Sequence, residues 1–158
     1  MKKIAMAAMR ISIMMLFFLA GLNTGCSTFR TDSAAKPYID KFIHDMGFEP
    51  SAMKGNTVTF ETVESEVEGF RILGQCNTFT GKVTIDPKFF FGMFTTEKRK
   101  TALVHHELAH CVCMLDHDDE MMADGCAVSI MHSYLPPNKC LQKHWQHYIA
   151  DLYDRCGD

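Results

Sequence analysis

Thr101-Ala102-Leu103-Val104-His105-His106-Glu107-Leu108-Ala109-His110-Cys111-Val112 is the stretch on which the fold turns. Its apolar members, Ala102, Leu103, Val104, Leu108 and Val112, suit a buried helix. Thr95 and Thr96 offer an N-cap ahead of it, and Glu97 suits the first turn. Inside the run, His106 to His110 forms an H-E-x-x-H pattern. Residues four apart on a helix stand one above the other on the same face. His106 and His110 can therefore present two imidazole nitrogens to one metal ion, and neutral imidazoles suit zinc. Glu107, beside the first ligand, can reach a metal-bound water without binding the metal. His105 poses a register question, but four residues after it stands Ala109, which binds nothing. The plain alternative is a His-rich helix with solvated or satisfied side chains. Against it, a buried helix does not carry two His and a Glu near its inner face without partners or work for them.

The 158 residues allow one domain. At the N-terminus, Lys2, Lys3 and Arg10 form a basic n-region, and Ile11 to Ala20 is apolar apart from Ser12. That is the length of a signal-peptide h-region and short for a membrane span. Gly21-Leu22-Asn23-Thr24-Gly25-Cys26-Ser27 then resembles the lipobox of bacterial lipoproteins. Thr24, Gly25 and Cys26 match; Asn23 departs, since an apolar residue usually stands there. The resemblance implies cleavage before Cys26 and its lipidation, with Ser27 rather than Asp favouring the outer membrane of the cell envelope. An ordinary secretory signal, yielding a secreted or periplasmic protein, is the alternative. The expected division is a signal peptide over 1–25, a small polar tether over 26–36 and a folded domain over 37–158. The net charge of −3 becomes −6 once the signal's three basic residues are gone. No basic stripe appears, so nucleic acid is not an expected partner. A monomer is expected.

Export also governs the cysteines. With Cys26 set aside, Cys76, Cys111, Cys113, Cys126, Cys140 and Cys156 remain, an even number in an oxidising compartment. Cys111 and Cys113 point in different directions from a helix and should not pair. Cys76 with Cys111 would staple a strand to the metal helix, and Cys126 with Cys140 would close the loop after it. Cys113 and Cys156 are left as a pair or as thiols.

Pro37 opens a first helix with an apolar stripe of Tyr38, Ile39, Phe42, Ile43 and Met46, and Gly47 ends it. Strand-like stretches follow at Thr57 to Val63, at Val67 to Leu73 and at Lys82 to Ile85, with a turn over Asn77 to Gly81. Phe89, Phe90, Phe91, Met93 and Phe94 read as core or groove lining. Near the end, Asn138 can cap a helix whose Leu141, Trp145, Tyr148, Ile149 and Leu152 form one stripe. The fold class is therefore α+β: a helix, a small mixed sheet, the metal helix and a C-terminal helix.

A catalytic zinc needs a third protein ligand. Cys111-Val112-Cys113-Met114-Leu115-Asp116-His117, following His110, resembles the metzincin metallopeptidases, whose motif is H-E-x-x-H-x-x-G-x-x-H or D. Two departures stand out. Cys113 occupies the glycine position, and Asp116 occupies the strict third-ligand position with His117 one residue later. His117 is the preferred ligand, with one extra residue in the turn; Asp116 is the alternative, and the one that does not bind can orient the other. Ser129-Ile130-Met131-His132 resembles the family's Met-turn, which implies Met131 beneath the metal. Ser133 intervenes before Tyr134, the residue that would stabilise the oxyanion. Ordinary core packing is the alternative for Met131, and a solvated loop position is preferred for His132. Together the two elements span Thr96 to Tyr134, about a quarter of the chain. Glu120-Met121-Met122-Ala123-Asp124 resembles the gluzincin E-x-x-A-D segment, which would make Glu120 the third ligand.

The metzincin resemblance implies a small zincin domain holding Zn2+ through His106, His110 and His117 and acting on peptide or protein substrates. Glu107 would be the general base. The family lays its substrate along an edge strand, and Lys82, Val83, Thr84 and Ile85 are the candidate. The other class of function is a non-catalytic envelope lipoprotein with a structural zinc, closed by a fourth ligand such as Cys113 or Asp118.

Overall fold

The computed structural model describes residues 31–64 and 71–157. The signal segment, Cys26 and most of the expected Val67–Leu73 strand lie outside them. Four helices and a three-stranded mixed sheet make up the described fold: α1 (Lys36–Asp45), β1 (Thr57–Phe60), β2 (Gly74–Asn77), β3 (Lys82–Ile85), α2 (Pro87–Phe90), α3 (Glu97–Val112) and α4 (Asn138–Cys156). No helix among these residues is long and apolar enough to cross a membrane.

α3 is the hub. Thr96 caps it, its hydroxyl accepting from the Arg99 backbone N–H, and Glu97 sits in the first turn, where a negative charge complements the helix dipole. The apolar residues are not confined to one stripe, and Thr101 to Ala109 is buried without a break. A helix this enclosed needs cover on several sides. The sheet, α1 and α4 provide it. Leu108 is completely buried, and its truncation to alanine would cost about 2–5 kcal/mol.

The sheet order is β1-β3-β2. β3 runs parallel to β1, with Val58 opposite Val83, and antiparallel to β2, with Cys76 opposite Val83. The β2–β3 turn has Gly81 at φ 68°, and the Asn77 side chain accepts from the Thr80 backbone. This order corrects the edge-strand expectation. Lys82–Ile85 is the middle strand, with hydrogen-bonding neighbours on both sides. The edge beside α3 is β2, which begins at Gly74 after an irregular Arg71–Leu73.

Other boundaries shift as well. Asp32 donates its N–H to Val58 and Ala35 is fully buried, so the chain joins the fold before Pro37. Pro137, not Asn138, is the N-cap of α4; the Asn138 carboxamide instead accepts from the Thr96 hydroxyl at 2.8 Å and ties the starts of α3 and α4 together. Phe89 and Phe90 enter the core, while Phe91, Met93 and Phe94 are exposed.

Three disulfides close the structure: Cys76–Cys111, Cys113–Cys156 and Cys126–Cys140. The first joins edge strand β2 to α3 and the second joins the end of α3 to the end of α4. The third ties the segment just before Ile130 and Met131 to the start of α4.

Candidate metal centre

His106 and His110 lie one turn apart on the face of α3 that meets β2 and the following loop. Each ring is oriented by a backbone carbonyl. His106 Nδ1–H donates to Ile130 O at 2.9 Å, and His110 Nδ1–H donates to Leu115 O. A carbonyl only accepts, so both Nδ1 atoms carry the proton and both Nε2 atoms are lone pairs in the neutral ring. His117 brings a third Nε2. The three nitrogens stand 3.0 Å (106–110), 3.2 Å (110–117) and 3.3 Å (117–106) apart.

Burial pushes His106 down to about 4, aided by the neighbouring imidazoles, and burial lowers His110 as well. His106 and His110 are thus neutral near pH 7 and turn their lone pairs toward each other. Such an arrangement is repulsive unless a cation lies among the rings. Tetrahedral ligands at about 2.0–2.1 Å from zinc would stand about 3.3 Å from one another, close to the observed triangle. The chain therefore carries a possible three-histidine metal site.

The turn that returns His117 to α3 is made without glycine. Cys113 is the C-cap in helical geometry, and Met114 takes φ 56° in the left-handed region. Leu115 then donates its N–H back to Ala109 O. The left-handed residue is Met114 and not Cys113, and His117 rather than Asp116 joins the cluster. Neither Asp116 nor Glu120 joins the three ligand atoms. Asp118 is held by Arg155 Nη1 at 3.1 Å and Cys113 is in a disulfide, so both candidates for a closing fourth ligand are engaged elsewhere.

Glu107 is buried against β2. Desolvation raises it to about 8, opposed by a hydrogen bond from the Cys76 backbone. Gly74 makes room for it: a Cβ there would lie 2.7 Å from Glu107 Oε1 and 2.8 Å from its Cγ.

Met131 is fully buried in the turn after Ile130. A polar network fixes that turn. Ser129 Oγ donates to Asp151 at 2.6 Å and accepts from Met131 N–H and Arg155 Nη1, while Met131 O accepts from Asp118 N–H. Sequence reasoning missed Asp151 and Arg155, which carry no local pattern linking them to Ser129. His132 is not solvated as expected; its side chain is mostly covered, lies 3.6 Å from Asp119, and accepts from Tyr134 N–H. Tyr134 is exposed and its ring lies beside His132. His105 faces away from the cluster. It donates to Asp45 on α1 at 3.0 Å, so it belongs to the packing between helices.

A cavity of about 810 Å³ opens over the site, with Gly74, Gln75, Glu107, His117 and Tyr134 among its walls. Lys82, Val83, Thr84 and Ile85 are not part of it. Comparison of the chain with known protein families, with curated proteins and with solved structures gives no match.

Proposed function

We propose that this chain is a zinc-dependent peptidase of the metzincin kind, exported and tethered through lipid at Cys26. The reading rests on the triangle of Nε2 lone pairs from His106, His110 and His117, with the carboxylate of Glu107 in the same cavity. Zinc, when bound there, supplies a Lewis acid and a water acidified towards neutrality. Glu107 takes the proton from the attacking water and returns it to the leaving amine nitrogen. Its burial raises its affinity for a proton, which suits a base that takes one from a bound water. β2 is an edge strand whose Gly74, Gln75 and Cys76 face the cavity, so an extended peptide can add to it as a further strand. Tyr134 also lines the cavity, where its phenol would donate to the carbonyl oxygen as charge builds there. Engagement of Cys113 and Asp118 elsewhere favours an exchangeable ligand position over a closed structural site. The three disulfides suit an oxidising envelope compartment.

The test is hydrolysis of unfolded protein by the zinc-loaded chain and by Glu107→Gln. Loss of turnover by at least about 10²-fold with zinc retained is expected. Undiminished turnover in the variant refutes the role of Glu107. Unfolding on chelation with no turnover to lose refutes the enzyme.

A further inference from the structure

Arg99 lies on α3 two turns before His106, and Leu103 continues the same face towards Glu107. Both line the large cavity. Ile72, Leu73 and Leu135 add apolar wall to the same cavity. The other arginine there, Arg71, is matched: its Nε donates to Asp86 at 2.7 Å. Arg99 has no acidic partner within 4.0 Å among the described residues. Its guanidinium stands 5.0 Å over the Phe89 ring, and its Nε is buried with no hydrogen-bond partner. The aromatic face holds the cation without satisfying its N–H donors. Nε is enclosed, so the two terminal Nη groups are the donors a cavity ligand can meet, and together they can take a carboxylate with two hydrogen bonds.

We infer that Arg99 is the specificity residue of this cavity and takes a substrate carboxylate. The inference uses the peptidase reading only to place the cleaved bond at the histidines. The seven helical steps from Arg99 to His106 rise about 10 Å, which three residues of extended peptide span. Two sources present that chemistry at that distance: the C-terminal carboxylate of a short peptide, or an acidic side chain closer to the cleaved bond.

The experiment uses hexapeptides that place Glu or Gln at one position at a time, each as C-terminal acid and as amide. Binding is measured to the metal-free chain and cleavage with the zinc-loaded chain. A preference of at least about tenfold is expected for Glu over Gln at one position, or for acid over amide, in both measurements. Arg99→Gln abolishes the preference and Arg99→Lys keeps part of it. The arm that shows the preference names the source. A wild-type chain that binds both members of every pair alike, or binds none, overturns the inference without any variant. So does a preference that survives Arg99→Gln. Cleavage without preference overturns this inference alone. Preferential binding without cleavage supports the role of Arg99 and overturns the peptidase.

Discussion

Replacing Gly74 by alanine adds one carbon to edge strand β2 at the place where it meets Glu107. Gly74 has an ordinary backbone φ, so alanine brings no conformational strain, and any effect comes from contact. The new Cβ would stand 2.7, 2.8 and 2.9 Å from Oε1, Cγ and Cδ of Glu107. Ordinary contacts begin near 3.4 Å, so the carboxylate must retreat by roughly 0.5–0.7 Å or rotate. Rotation of Oε1 alone does not relieve the clash, because Cγ stands at 2.8 Å, and Glu107 is only 4% exposed. Misplacing a proton-transfer group by a distance of this order costs about 10²-fold in kcat/KM, near 2.7 kcal/mol of transition-state stabilisation. The three atoms nearest the new carbon all belong to Glu107, so zinc affinity should stay within about twofold. The assay pairs kcat/KM on a fluorogenic peptide with a zinc-binding titration of the same preparation. Turnover within about threefold of the parent would show that the position of Glu107 does not matter to the chemistry. A parallel loss of zinc would show that the clash disturbs the ligands instead.

Met114→Gly removes a side chain from the left-handed position and loses only an exposed methionine. Relief of about 1–2 kcal/mol less the greater chain entropy of glycine leaves a gain of about 0.5–1 kcal/mol; a lower urea midpoint would contradict it. Asp45 is pulled well below the usual carboxylate range: burial opposes this, but hydrogen bonds from His105 and Lys41 prevail. A lowered carboxylate contributes stability above its unfolded value near 3.9 and loses it as pH falls towards the folded value. Asp45→Asn should therefore flatten the acid limb of the stability curve below about pH 4, and equal slopes for parent and variant would count against the pairing. At neutral pH the same change weakens a buried bond to His105, at a cost of about 1–3 kcal/mol in chemical denaturation.

The helix carrying His106 and His110 was legible because its signals are local: a threonine cap, an apolar run and two histidines four apart. His117 was reachable from the same stretch, although the glycine rule pointed to Cys113 and the chain turns at Met114. Two cystines, Cys76–Cys111 and Cys126–Cys140, match the expected pairs, while the sequence leaves Cys113 and Cys156 open between a bond and two thiols. Strand order was not legible. Val83 and Ile85 alternate with half-buried neighbours whether β3 lies at an edge or in the middle. Gly74-Gln75-Cys76-Asn77 has no β-branched residue, and its strand is imposed by pairing with β3 and by the bond to Cys111. Arg155, Asp151 and the pair Asp45–His105 are joined across sequence distances that no local period reports.

The cystine between Cys113 and Cys156 anchors the bend just ahead of Leu115 and His117 to the last turn of α4. Where His117 stands relative to His106 and His110 is therefore tied to the redox state of two cysteines that belong to neither α3's histidine pair nor the loop's own hydrogen bonds. A thiol reagent would reach the imidazole triangle without touching an imidazole.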